Sequence, residues 1–195
     1  MSRETYLQVL DPIEEKMRNS GSSPSPNRRE SQNGFAAEEP KDVRNAIPFK
    51  HLELRNTLGT GTFGRVKLAV HKKTGKAYAL KMLQKSQIVA LRQEKNIMNE
   101  KMVLQMVNHP FILKLYSTYK DKHRLYMLLE LVQGGELFSR LQNNDTPGRV
   151  PVRDARFYAA CVVDALAHLH SQYIVYRDLK PENLLIDRDG YIKVC

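Results

Sequence analysis

Apolar residues recur at two different spacings along this chain, and the change between them divides it. From His51 the period is two: "HLELRNTL" and "GRVKLAVH" alternate apolar and polar residues like half-buried strands, joined by the glycines of "GTGTFG". The stretch "HKKTGKA" supplies a turn, and "KAYALKML" reads as a third strand. Residues 91–107 then switch to helical spacing. "FILKLYSTY" and "HRLYMLLELV" look like two more strands around the polar turn "KDKH", and "GGELFSRLQN" opens a short helix. Beyond a polar loop with Pro147 and Gly148, residues 152–170 predict a long helix, with Phe157, Cys161 and Ala165 on one edge and Tyr158, Val162, Leu166 and Leu169 beside it. Five strands and one main helix come first and helices dominate afterwards, which is an α+β order.

The first 48 residues follow neither period. "DPIEEKM" has a helix start, with Asp11 as N-cap, Pro12 at the first helical position and Glu14 placed to reach back. Tyr6, Leu10, Ile13 and Met17 would form its apolar edge. "NSGSSPSPNRRESQNGFAAEEPKD" has too few apolar residues to offset the entropy of ordering and is expected to be a disordered linker. The predicted organisation is therefore an extension over 1–48, a strand-rich lobe over 49–131 and a helical part over 132–195.

Composition narrows the function classes. With 42% hydrophobic residues in 195, the chain can bury a sizeable core. No apolar run approaches the roughly 20 residues of a membrane span, and "MSRETYLQVLDP" lacks the order of a secretion signal. The two cysteines, Cys161 and Cys195, have no metal-ligand spacing, so a reducing, cytoplasmic setting is expected, with the nucleus as a second compartment. The net charge is +10; residues 1–48 carry seven basic and eight acidic residues, which leaves +11 for the rest. Those cations are scattered among acids rather than clustered with stacking aromatics, so nucleic acid is not the expected partner.

"LGTGTFGRV" sets Gly59, Gly61 and Gly64 as G-x-G-x-x-G. A dinucleotide fold would need a helix next and an acid about 20 residues on. Neither is present: strand-like "GRVKLAVH" follows, and no Asp or Glu lies between Gly64 and Glu94. Two readings stay open, a backbone flap over phosphates and a plain structural hairpin. The third strand sends Ala77, Ala79, Lys81 and Leu83 to one face and Tyr78, Leu80 and Met82 to the other. In the helix, Glu100 sits on the stripe made by Ile97, Leu104 and Val107. A lone buried charge costs several kcal/mol, so Lys81 and Glu100 are expected to meet, either as a structural pair or as a clamp that holds an ammonium where phosphates lie. Glu94, on another face, is the poorer partner.

Taken in order, "LGTGTFGRV", "YALK", the Glu of "NEK", "ELVQGGEL" and "YRDLKPENLLID" resemble the motif series of the eukaryotic protein kinases, over about residues 49–195. Among these they are most similar to the cyclic-nucleotide-dependent members of the AGC group. The resemblance implies a bilobal fold with a complete small lobe, a five-stranded antiparallel sheet plus one main helix, and the first part of the helical large lobe. It implies ATP and Mg²⁺ as cofactors. Gly59, Gly61 and Gly64 would cover the phosphates and Lys81, held by Glu100, would contact them. Val66 and Ala79 would pack on adenine, and Glu130 and Val132 would offer it backbone hydrogen bonds. Leu58 and Glu136 complete the nucleotide-contacting set.

In the closing segment the resemblance makes Asp178 the catalytic base, Lys180 a cation on the moving phosphate and Asn183 a metal ligand. Tyr176 stands where many kinases have His, as is common in this subgroup. Glu136 and Glu182 would recognise Arg in a substrate, which implies Ser/Thr peptides with basic residues before the acceptor. A separate regulatory subunit is a further implied partner. "RRES" at Arg28 to Ser31 has that substrate form, so Ser31 is a candidate autophosphorylation or pseudosubstrate site. In the family the strand "GYIKV" leads into Asp-Phe-Gly, whose Asp binds the metal; these 195 residues lack it. The expectation is an inactive or strongly impaired polypeptide whose long helix exposes apolar surface. The alternative is a noncatalytic protein that binds nucleotide or a kinase partner.

Overall fold

A computed structural model provides the structure of the protein and describes residues 47–142 and 148–195. The expectations for the helix after Asp11, the linker, Ser31 and Pro147 lie outside the described residues.

Five strands form one antiparallel sheet: β1 (Leu52–Gly61), β2 (Gly64–His71), β3 (Ala77–Gln84), β4 (Leu115–Lys120) and β5 (Arg124–Glu130), in spatial order β1-β2-β3-β5-β4. Local chemistry makes its turns. Gly75 takes φ +69° in the β2–β3 turn, where its N–H donates to His71 O. Asp121 closes the β4–β5 turn by accepting from the N–H groups of His123 and Arg124 and from the Tyr126 hydroxyl.

The period of two gives the sheet two apolar faces. Tyr78 and Leu80 of β3 join Leu52, Ala69, Tyr126 and Leu128 on one side. Ala79 and Leu83 face the other, with Leu115, Met127 and Leu129. Helix α2 (Glu94–Met106) covers that second face with Ile97 and Leu104. Leu80 and Leu128 are fully buried, so this sheet is a packed core in which a Leu→Ala change costs about 2–5 kcal/mol.

Three sequence expectations shift here. Helical structure does not run unbroken over 91–107: a separate short helix α1 (Lys85–Ala90) ends at Leu91, Arg92 takes φ +51°, and α2 starts at Glu94. Val107 leaves the stripe of α2 and packs in the large-lobe core. The strand expected from Phe111 begins only at Leu115, because residues 111–113 bond elsewhere: Val194 N–H donates to Phe111 O and Leu113 N–H donates to Val194 O.

The large-lobe part comprises α3 (Leu137–Gln142), α4 (Val152–Ser171) and a hairpin of β6 (Leu184–Ile186) and β7 (Ile192–Val194). Cys161, Val162, Ala165 and Leu169 of α4 pack on Leu184, Ile186, Ile192 and Val194. Phe157, on the same edge as Cys161 and Ala165, is 41% exposed, its ring resting beside those of Tyr158 and Tyr191. Val163 is exposed on the same helix. Among the described residues no helix is long and apolar enough to cross a membrane.

Candidate active site

The flap comes first in the chain. β1 and β2 pair through Gly59↔Val66, Thr60↔Arg65 and Gly61↔Gly64, so the glycines cap a hairpin and do not open a helix. They do different work. A Cβ at Gly59 or Gly61 would meet nothing within 4 Å, whereas one at Gly64 would sit 1.9 Å from the backbone O of Met82. Gly64 is therefore required by the contact of β2 with β3, whereas Gly59 and Gly61 border open space. The tip is tied down, since Gln84 N–H donates to Phe63 O at 2.8 Å and Phe63 packs on the core beneath.

Lys81 stands on the α2 face of β3, paired with Val66 on one side and Met127 on the other. Its Nζ donates to Glu100 Oε1 at 2.6 Å, with both side chains about a third exposed (29% and 35%). Such a pair adds little to stability, because water still solvates both ions. Its structural effect is positional: a flexible ammonium is held at one place.

The connector follows β5. Glu130 was expected to act through its backbone; its N–H donates to Lys114 O, and its carboxylate pairs with Lys193 Nζ at 3.0 Å. Lys193 and Glu130 are only 12% and 27% exposed, so breaking this pair strands a buried charge. Gly134 N–H donates to Ile186 O, and Ile186 N–H donates to Gly135 O. A Cβ at Gly134 would lie 2.5 Å from Ile186 O, so Gly there lets the connector lie against β6. Ala79, Val132 and Leu185 are partly buried and pack against one apolar cluster, that of Leu83, Met127 and Leu129. Leu58 is exposed on β1, and Val66 is half-buried on β2.

In the chain's second part stand Asp178, Lys180 and Asn183. Arg177 takes φ +62° just before Asp178, an uncommon conformation for a residue with a Cβ. Asn183 Nδ2 donates to Asp178 Oδ2 at 2.8 Å and to its backbone O at 2.9 Å, and Lys180 Nζ lies 3.0 Å from Oδ2. Lys180 first, then Asn183, hold the Asp178 carboxyl below its ordinary value. The carboxylate is thus ionised and aimed. Tyr176 fixes the segment by donating to the backbone O of Cys195; burial first, then nearby negative charge including Asp178 and Glu100, pushes its hydroxyl up. Glu136 and Glu182 are both exposed and on neighbouring elements, since Glu136 bridges to Leu185 beside the 3-10 turn Pro181–Asn183.

Sequence reasoning missed Lys193, Gly134 and Leu185. Gly134 left a signal in the "GG" of the connector; the other two sit in strands and meet partners more than fifty residues away. Two open cavities, of about 220 and 350 Å³, share Glu130 but include neither Lys81 nor Asp178. The first lies beside His109 and Pro110, ahead of β4, and the second beside the connector at Leu131 and Gln133.

A glycine hairpin, a lysine held by a carboxylate, and an oriented aspartate with a lysine and an asparagine beside it make up the candidate site. Residues 52–195 match the protein kinase domain. The chain belongs to the protein kinase family. It is 50% identical over 138 residues to the human "cAMP-dependent protein kinase catalytic subunit PRKX", covering 71% of this chain and 38% of that protein. It is 48% identical over 153 residues to a Caenorhabditis elegans "cAMP-dependent protein kinase, catalytic subunit-like" protein, covering 78% of this chain and 38% of the other. It is 43% identical over 154 residues to "cAMP-dependent protein kinase type 3" of Saccharomyces cerevisiae, covering 79% and 38%. The kinase chain therefore spans a little over a third of the length of these relatives.

Proposed function

We propose that this chain carries the nucleotide-binding and base-bearing part of a Ser/Thr protein kinase of the cyclic-nucleotide-dependent type. The reaction moves the γ-phosphoryl of ATP to a Ser or Thr hydroxyl: the bond from the γ-phosphorus to the bridging oxygen breaks, the bond to the acceptor oxygen forms, and ADP leaves. The observation that carries this reading is the Lys81–Glu100 contact of 2.6 Å. It presets a cation for the α and β phosphates, while Gly59 and Gly61 cover them.

Asp178 receives the acceptor's hydrogen, and Lys180 neutralises charge on the phosphate in flight. Asn183 uses its nitrogen on Asp178, which leaves its side-chain oxygen for a cation. An oxygen ligand of that kind suits Mg²⁺, which when bound neutralises phosphate charge. Leu58, Val66, Ala79 and Val132 line the adenine slot, Glu130 offers it a backbone contact and Glu136 reaches the ribose side.

Glu136 and Glu182 pair with Arg ahead of the acceptor in a substrate peptide; screening beyond about 8 Å makes the basic net charge of the domain a minor opposition. Ser31, in "RRES", is the matching acceptor within the chain itself. A separate regulatory subunit is the proposed partner, and the cytoplasm with the nucleus the proposed location, in keeping with two free cysteines.

For the 195-residue polypeptide by itself we infer slow transfer. Its residues do not include the Asp of Asp-Phe-Gly, and losing one metal contact costs about 3 to 4 kcal/mol in the transition state, several hundredfold in rate. The test is ATP binding, and transfer to an Arg-Arg-x-Ser peptide, by this polypeptide and by Lys81→Met. Wild type should bind Mg·ATP and transfer slowly, with binding weakened at least about tenfold in the variant. Equal binding by both would overturn the phosphate site; transfer at ordinary kinase rates would overturn the inference of slow turnover.

A further inference from the structure

Outside the active site, the segment between α2 and β4 meets α4 through two stacked imidazoles. The rings of His109 and His168 have centroids 4.8 Å apart with an interplanar angle of 28°. His109 is largely buried, and its two nitrogens are committed. Phe111 N–H donates to Nδ1 at 3.2 Å, so the ring is neutral with its hydrogen on Nε2, which points to Asp164 Oδ2 at 3.5 Å. His168 Nε2 lies 2.8 Å from the side-chain nitrogen of Gln172, a contact in which the amide donates and the ring accepts.

We propose that this stack is a proton-sensitive joint between the lobes: closed while both rings are neutral, loosened when His109 takes a proton. Protonation puts hydrogen on Nδ1 against the Phe111 N–H, sets a charge against His168, and adds to Lys193, which lines the cavity beside His109 with Lys114 and Glu130. Glu130 is occupied by Lys193, and among the described residues only Asp164, more than half exposed, favours the cation. Consistent with that balance, burial first, then His168 and Lys193 against the opposing Asp164, hold His109 below its ordinary value of 6.5.

What the joint holds is not local. Residues 107–112 continue directly from α2, the helix that carries Glu100. Phe111 and Leu113 bracket Val194 of β7 through two backbone hydrogen bonds. Opening the stack therefore removes one of the contacts between the end of α2 and α4, leaving the packing of Val107 and Ile112, and weakens the register of β7. A folded-state value below the unfolded one means that the closed form is fully favoured above about pH 6.5 and loses ground as pH falls, by at most about tenfold per pH unit for one proton.

The test is amide hydrogen exchange at Leu113 and Val194 in the 195-residue chain between pH 7.5 and 5.5, corrected for intrinsic exchange, for wild type and His109→Phe. Protection in wild type should fall several-fold toward pH 5.5, and the phenylalanine variant, which keeps an aromatic ring, should show a flat profile. The same fall in both would overturn the proposal. If His109→Phe does not fold, NMR titration of wild type and His168→Phe decides: His109 should titrate below 6.5 and rise when the neighbouring imidazole is removed. Titration at or above 6.5 in wild type would overturn it.

Discussion

Lys81 and Glu100, nineteen residues apart in the chain, meet at 2.6 Å across the gap between β3 and α2. A strand that faces α2 with Ala79 and Leu83 would ordinarily put an apolar residue between them. The ammonium there is tolerated because a carboxylate on the covering helix reaches it and both remain partly wet.

Glu100→Gln should leave the fold intact and weaken nucleotide binding. A part-exposed ion pair is worth about 0–1 kcal/mol, so the thermal midpoint should move by only a few degrees. The lysine, no longer held, should cost about 1.4 kcal/mol in ATP affinity, about tenfold. Calorimetric unfolding and titration with a fluorescent ATP analogue separate the two effects; a large loss of stability would make the pair structural.

Asn183→Ala removes one of the two donors that keep the Asp178 carboxyl below its ordinary value, and Lys180→Met removes the larger. Carboxyl NMR should place Asp178 below 3.8 in the wild type and move it upward in both variants, more in Lys180→Met. No upward shift in either would mean that the hydrogen bonds do not orient the carboxylate in solution.

The three flap glycines should separate by experiment. Gly64→Ala drives a methyl into the Met82 carbonyl and should cost about 1 to 3 kcal/mol, read as a lower urea midpoint. Gly61→Ala meets nothing and should stay within about 0.5 kcal/mol of wild type. Equal destabilisation would refute the division of labour.

Acid should undo the β4–β5 turn through Asp121. Its carboxyl is held at about 2 against an ordinary 3.8, by the Tyr126 hydroxyl first and the His123 and Arg124 N–H groups next. The folded-state value lies below the unfolded one, so the contribution to stability is present above 3.8 and lost as pH falls toward 2. Asp121→Asn should be less stable than wild type near pH 5 in urea, and the gap should close near pH 2. A gap that persists there would mean the charge is not the cause.

The parts of this kinase that were legible in its sequence are those whose cause is local. A period of two marks five strands because alternate side chains of a strand share a face, and Lys81 is conspicuous as the one charge on an inward row. The lone helix α1 escaped notice because six residues are too few to show a period. Spacing put Phe157 on one edge with Cys161 and Ala165, but could not tell that Cys161 and Ala165 would be buried and Phe157 left 41% exposed.

Element order and the meeting of Lys81 with Glu100 follow from the chain itself, since they depend on neighbours a few residues away or on the plain cost of burying a charge; Asp178, Lys180 and Asn183 stood out only through the resemblance to a kinase motif, because "DLKPEN" alone also reads as a turn. Which glycine the sheet needs, how Lys193 reaches Glu130 and why His109 lies against His168 were decided only by the tertiary structure. Those contacts join positions some sixty or more residues apart, or a backbone to the strand beside it, and chain closure over such distances leaves no periodic trace along the sequence.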